Sequence, residues 1–98
     1  MNITRDLCDY LAGLTADRLD QDLLEDIRYK TLDWLGCVTG ALDKKSSRAV
    51  LEMARESGGN PQCSAFGLPE KTSMFTAAFS NGVLGHTLEY DDVNKIAI

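Results

Sequence analysis

The sequence predicts an all-α fold, a helical, bundle-like arrangement of about four helices forming one partial domain over residues 1–98. Two observations carry this. Apolar residues recur at three- and four-residue spacing in four separate stretches. Residues suited to starting or stopping a helix stand at the ends of those stretches, and the strongest breakers gather in one irregular link between the third and the fourth.

The first stretch covers residues 4–13. Ile3, Leu7, Leu11 and Leu14 form an apolar stripe with Tyr10 beside it. Thr4 is the expected N-cap, because its hydroxyl can accept from a free backbone N–H. Gly13 and Thr15 end the stretch. The second covers residues 21–42. Asp20 reads as its N-cap, with Leu19 and Leu24 in the N′ and N4 positions of a hydrophobic staple. Leu24, Ile27, Thr31, Trp34, Leu35, Val38 and Leu42 continue one apolar face. Asp22, Glu25 and Asp26 crowd the first turns, where the helix dipole favours them. Gly36 and Gly40 share a face. Each costs a helix interior about 1 kcal/mol relative to alanine. A close approach by another helix would offset that cost; a kink or an early end is the alternative.

The third stretch covers residues 47–56, capped by Ser46 or Ser47, with Val50, Leu51 and Ala54 on its inner face. Gly58, Gly59 and Pro61 stop it, since glycine supplies a left-handed residue and proline cannot continue a helix. Residues 62–66 are short, apolar and suited to an extended strand, and Gly67, Leu68 and Pro69 make a turn. The fourth stretch begins near Thr72 or Ser73. Phe75, Ala78, Phe79, Gly82, Val83 and His86 fall on one face and form its expected buried side.

Composition sets the outer bounds. A chain of 98 residues, 44% hydrophobic and 26% charged, has the make-up of one ordered domain rather than a disordered segment. Its net charge of −5 and its single basic doublet, Lys44 and Lys45, argue against nucleic-acid binding, which needs clustered cations. Cys8, Cys37 and Cys63 are odd in number and lack metal-type spacing. No disulfide framework is expected, and a reducing, cytoplasmic setting is the default. Cys37, among apolar helix neighbours, reads as inert packing. The amino end has neither a secretory pattern nor a membrane span. Residues 93–98 stop without a cap or a charged tail, which reads as a cut in a longer chain.

The chemistry concentrates in residues 81–92. His86 is the only histidine, and Glu89, Asp91 and Asp92 follow it. If the fourth helix persists, Glu89 lies one turn from His86 on the same face, Asp92 a further turn on, and Asp91 points elsewhere. A carboxylate set against apolar walls and a second carboxylate gains affinity for its proton, which suits proton transfer. Spacing alone favours a satisfied core or capping histidine beside solvated acids, the commoner outcome. A metal site built on His86 and Glu89 would need ligands from another chain, so neither metal nor cofactor is expected. There is no Gly-rich phosphate loop and no nucleophile elbow.

Three segments resemble the MmgE/PrpD family, which includes 2-methylcitrate dehydratase, cis-aconitate decarboxylase and iminodisuccinate epimerase. They are the run from Lys30 to Gly36, then Gly58-Gly59-Asn60-Pro61 with Ala65-Phe66-Gly67, and then Ala77-Ala78-Phe79-Ser80-Asn81-Gly82 leading into His86-Thr87-Leu88-Glu89-Tyr90-Asp91-Asp92. The last is the specific match. The resemblance implies the helical N-terminal part of a larger homodimeric lyase or isomerase that moves protons on small polycarboxylates. It also implies that Glu89 is the active-site acid, with His86 and Asp92 in support. Asn81 and Gly82 match a turn-forming pair that sets up the helix. Val93 stands where some members have a substrate-contacting threonine. A polycarboxylate needs cationic or donor groups, and near Glu89 the sequence offers Lys95. A non-catalytic helical module for self-association or partner binding is the competing expectation, suggested by the chain's small size and its glycine-marked helix face.

Overall fold

A computed structural model describes residues 1–92. Val93 and Lys95, singled out above, lie outside the described residues. The elements run α1 (Ile3–Ala12), a short 3-10 turn (Ala16–Arg18), α2 (Gln21–Ala41), α3 (Lys45–Ser57), β1 (Cys63–Ser64), β2 (Lys71–Thr72) and α4 (Met74–His86). The chain is mostly helical, as its periodicity predicts, and the extended stretch after α3 becomes a minimal antiparallel pair with Cys63 opposite Thr72.

Capping chemistry explains most helix starts. The Asp20 carboxylate accepts from the Leu23 N–H at 2.7 Å, and the Ser73 hydroxyl accepts from the Thr76 N–H at 3.2 Å. Two starts differ from expectation. Asn2 rather than Thr4 caps α1, accepting from the Arg5 N–H at 3.1 Å, because the amide oxygen reaches the free donor from outside the first turn. α3 begins at Lys45 after Lys44, with no side-chain cap bond, and the expected cap Ser47 is instead buried inside its first turns. Gly58 closes α3 with a φ of 57°, a backbone state that glycine adopts without steric cost.

The core lies where α2, α3 and α4 meet. Val38, Val50, Leu51 and Leu84 form it, with Trp34, Leu68 and Val83 packed against it. Val50, Leu51 and Ala54 are the buried face of α3, as its pattern predicts. The α2 stripe is buried only toward its end, at Cys37, Val38 and Ala41. Trp34 meets Phe66 edge-on at a centroid distance of 5.7 Å and an interplanar angle of 73°. Its indole also lies against the α4 backbone at Gly85, where an added Cβ would overlap the indole nitrogen.

α4 corrects the sequence reading. Its buried side is Thr76, Ala77, Ser80, Leu84 and Gly85; of the expected face, Phe75, Phe79 and His86 are exposed and Val83 is half-buried against the core. Phe75 is 79% exposed and Phe79 52%. The helix is apolar nearly all round, so periodicity alone does not pick its inner face. Small residues win the contacts of α4 with α2 and α3 because they admit close backbone approach, while the phenylalanines would hold the helices apart. The packing leaves the Ser47 and Ser80 hydroxyls fully buried without a hydrogen-bond partner among the described residues.

Candidate functional site

A second stripe of α2 runs beside its core-facing side. Asp26, Tyr29, Lys30, Asp33, Gly36, Cys37 and Gly40 recur at helical spacing along it. Residues 87–92 leave α4 and lie back over this stripe as a strap. Two ends anchor them. At one end Leu88 sits on Gly40, its Cδ1 only 3.1 Å from where a Cβ would be. At the other end the Lys30 Nζ donates to the Asp92 Oδ2 at 3.1 Å. Thr87 Oγ1 adds contacts to the Val83 carbonyl at 2.7 Å and to Ser46 Oγ at 3.3 Å.

This arrangement settles the two-glycine face. α2 runs unbroken through both glycines to Ala41. The close approach at Gly40 comes from a strap side chain rather than from another helix. Gly36 has no atom within 4 Å of its would-be Cβ among the described residues, and it floors an open groove. That groove, about 500 Å³, is lined by Tyr29, Leu32, Asp33, Gly36, Cys37, Leu88 and Tyr90. Its lining is mostly apolar and its one charge is negative, so it is unsuited to hold a carboxylate. Burial, reinforced by Asp33 and Asp91, raises the Cys37 thiol above its usual range, which keeps it protonated and inert.

The helix does not persist to Glu89. α4 ends at His86, the Glu89 N–H bonds the His86 carbonyl at 2.9 Å, and Glu89 takes a φ of 56°. It is the only non-glycine residue with positive φ among those described. Such a conformation costs about 1–3 kcal/mol in a residue with a Cβ and persists only where its surroundings impose it. Glu89 and His86 therefore do not share a helical face. The chain reverses at Glu89 and presents its carboxylate, exposed, at the apex of the strap.

The reversal also reassigns the other acids. Asp91, expected to point elsewhere, is the partner of His86: both its oxygens approach Nδ1, at 3.0 and 3.1 Å. A carboxylate only accepts, so Nδ1 carries the hydrogen and a neutral imidazole then presents Nε2 as acceptor. Asp92 turns instead to Lys30. Asp92 and then Asp26 hold the Lys30 ammonium above the ordinary lysine range, with Asp33 adding to the effect. Asn81 is not in a turn. It lies inside α4, where its Oδ1 accepts from the Phe66 N–H at 2.9 Å and its Nδ2 donates to the Ser64 carbonyl at 3.1 Å. It clamps the β1 segment to the helix.

Residues 81–92, the segment with the specific motif, thus form one continuous structure: a clamp, a helix end, a reversal and a strap. A model of the MmgE/PrpD N-terminal domain matches residues 5–97. The chain belongs to the MmgE/PrpD family. No curated protein and no solved structure matches it. Within this MmgE/PrpD chain, sequence reading missed Lys30 and Asp91. The signal for Lys30 was present in the α2 stripe of Asp26, Tyr29, Lys30 and Asp33, which continues into the two glycines. The pairing of Asp91 had no local signal, because it depends on where the helix stops. Among the described residues no three His, Cys, Asp or Glu side chains gather to hold a metal ion, and no helix is long and apolar enough to cross a membrane.

Proposed function

We propose that this chain supplies one wall of the active site of a lyase or isomerase that moves protons on small polycarboxylates, of the 2-methylcitrate dehydratase kind. One observation carries the reading. In a chain of this family, the strap turns at Glu89 in a strained backbone state that leaves the carboxylate unpaired by any described cation and open to a ligand. Glu89 is the proton-transferring acid. His86, oriented by Asp91, and Asp92, held by Lys30, support it. Asn81 holds the helix that bears them, and Val93 occupies the sequence position at which some family members contact substrate. No cofactor enters.

The wall is incomplete by itself. A polycarboxylate brings several negative charges, and the one lysine bonded to the strap is already matched by Asp26 and Asp92. Further cations must come from other parts of the assembled enzyme. The 98-residue chain alone is therefore inactive on 2-methylcitrate, cis-aconitate and iminodisuccinate. In the assembled enzyme, Glu89→Ala lowers turnover by about 10²-fold or more, the usual scale for removing a general acid or base. Turnover that survives Glu89→Ala would overturn the assignment. The free cysteines support a cytoplasmic setting.

A second reading has its own observation. The apolar stripe of α1 is uncovered, which supports a homo-oligomeric or partner-binding helical module. Light scattering that finds a monomer at high concentration would count against it. Glu89→Ala separates the two readings, because an interaction module tolerates that change.

A further inference from the structure

The strap raises a question that its own sequence leaves open: what holds Glu89 in an unfavourable backbone state? Hydrogen bonds within residues 86–91 shape the turn but do not fix where it lies. Position comes from contacts with the neighbouring helices: Thr87 with Ser46 of α3 at the start of the strap, and the two anchors on α2 beyond it. Gly40 and Lys30 are ten residues apart, about 15 Å along a helix. Four residue steps, from Leu88 to Asp92, reach at most about 14 Å even when extended. With a reversal inside it, the strap falls short of Lys30, and the long lysine side chain closes the gap. The contact joins residues 62 positions apart in the chain.

The charges around Lys30 define what it can do. Asp26 lies one turn before it, with an oxygen 3.8 Å from Nζ, and Asp33 lies one turn after. Asp92 approaches from the strap at 3.1 Å. Three carboxylates surround one ammonium, so the site has no positive charge left to attract an anionic substrate. Tyr29 and Asp33 line both this acidic cleft and the apolar groove beside it, so the strap spans one continuous furrow on α2.

We propose that Lys30 is a positioning residue: by pairing with Asp92 it fixes the strap of residues 87–92 on α2 and thereby holds Glu89 in place. The functional consequence rests on the reading of Glu89 given above; the positioning does not. Both partners are exposed, so the pair contributes little to global stability, and its effect is local.

The test uses the 98-residue chain, with backbone amide NMR relaxation over residues 88–92 and Trp34 fluorescence to confirm that the core is intact. In the unaltered chain the strap has order parameters near the rigid value of about 0.85; in Lys30→Met they fall toward about 0.6. Lys30→Arg restores them, since a single carboxylate contact does not need an ammonium in particular. Asp92→Asn reproduces the loosening, and Lys30→Met adds nothing to it in the double variant. A strap already flexible in the unaltered chain, unchanged in Lys30→Met, or not rescued by Arg would overturn the proposal. So would simple addition of the two single effects. In the assembled enzyme, Lys30→Met should lower kcat more than it raises KM. A loosened strap with unchanged kcat would leave the positioning intact and count against the role of Glu89. A lowered kcat with an unmoved strap would do the reverse.

Discussion

α1 and α3 carry equally regular apolar stripes and meet different fates. α3 buries Ser47, Val50, Leu51 and Ala54 against the core, whereas α1 buries none of its residues among those described. Leu7 and Leu11 on the α1 stripe are each 55% exposed. The difference teaches that an amphipathic pattern specifies a helix and its adhesive face but not the surface that face will meet. α3 follows α2 through a tight connection and packs its stripe along α4. α1 is set off by the 3-10 turn at Ala16–Arg18, and its stripe stays uncovered among the described residues. The same contrast runs along α2: Leu23 and Ile27 in its first half are more than 40% exposed, while Val38 and Ala41 near its end are fully buried.

Substitutions can break that comparison. The largest effect belongs to Leu84, which is completely buried in the core. Leu84→Ala should cost about 3 kcal/mol in urea unfolding followed by Trp34 fluorescence, through lost burial and a residual cavity. A cost below about 1 kcal/mol would mean that the α2–α4 contact is loose. Next is Gly85→Ala, which drives a methyl into the Trp34 indole. Overpacking of this kind should cost about 1–3 kcal/mol and should change the Trp34 emission directly.

Thiol chemistry sharpens the contrast without touching the packing. Cys8 on α1 is exposed and Cys37 on α2 is buried. Below the denaturation midpoint, alkylation near pH 8 should modify Cys37 at least about tenfold more slowly than Cys8. The sign of the pH effect follows from the direction of the shift. The folded chain raises the Cys37 thiol above its ordinary value of 9.0, so it holds that proton more tightly than the unfolded chain does. This contribution to stability is complete below the unfolded value and is lost as pH rises through the folded one. Cys37→Ala should therefore flatten the loss of stability above pH 9.0. The smallest effect is expected in α1: Leu7→Ser should change stability by less than about 0.5 kcal/mol, as for an ordinary surface site. A larger cost, or a shift from oligomer to monomer, would show that the stripe is covered in solution.

Much of the fold is legible in the sequence for local reasons. Asp20 and Ser73 mark helix starts because a short polar side chain satisfies a free N–H within its own turn. Gly58 marks a stop because its backbone admits positive φ. α4 is less legible. Phe75 and Phe79 look like a core face, yet Ala77, Ser80 and Leu84 take that place, because the winning face is the one that fits α2 and α3. The candidate site divides the same way. The motif of His86, Glu89, Asp91 and Asp92 is visible as a cluster of acids and one imidazole. Its pairings follow only from the helix stopping at His86 and the chain reversing at Glu89.

The sequence by itself determined the helices, their ends and the segment that carries the family motif, because capping, glycine conformation and apolar periodicity act within a few residues. Only the tertiary structure decided which side of α4 is buried, that Leu88 rests on Gly40, and that Lys30 holds Asp92. Those contacts join residues tens of positions apart. No local preference can encode them, since they depend on how the packed helices bring distant side chains to one surface.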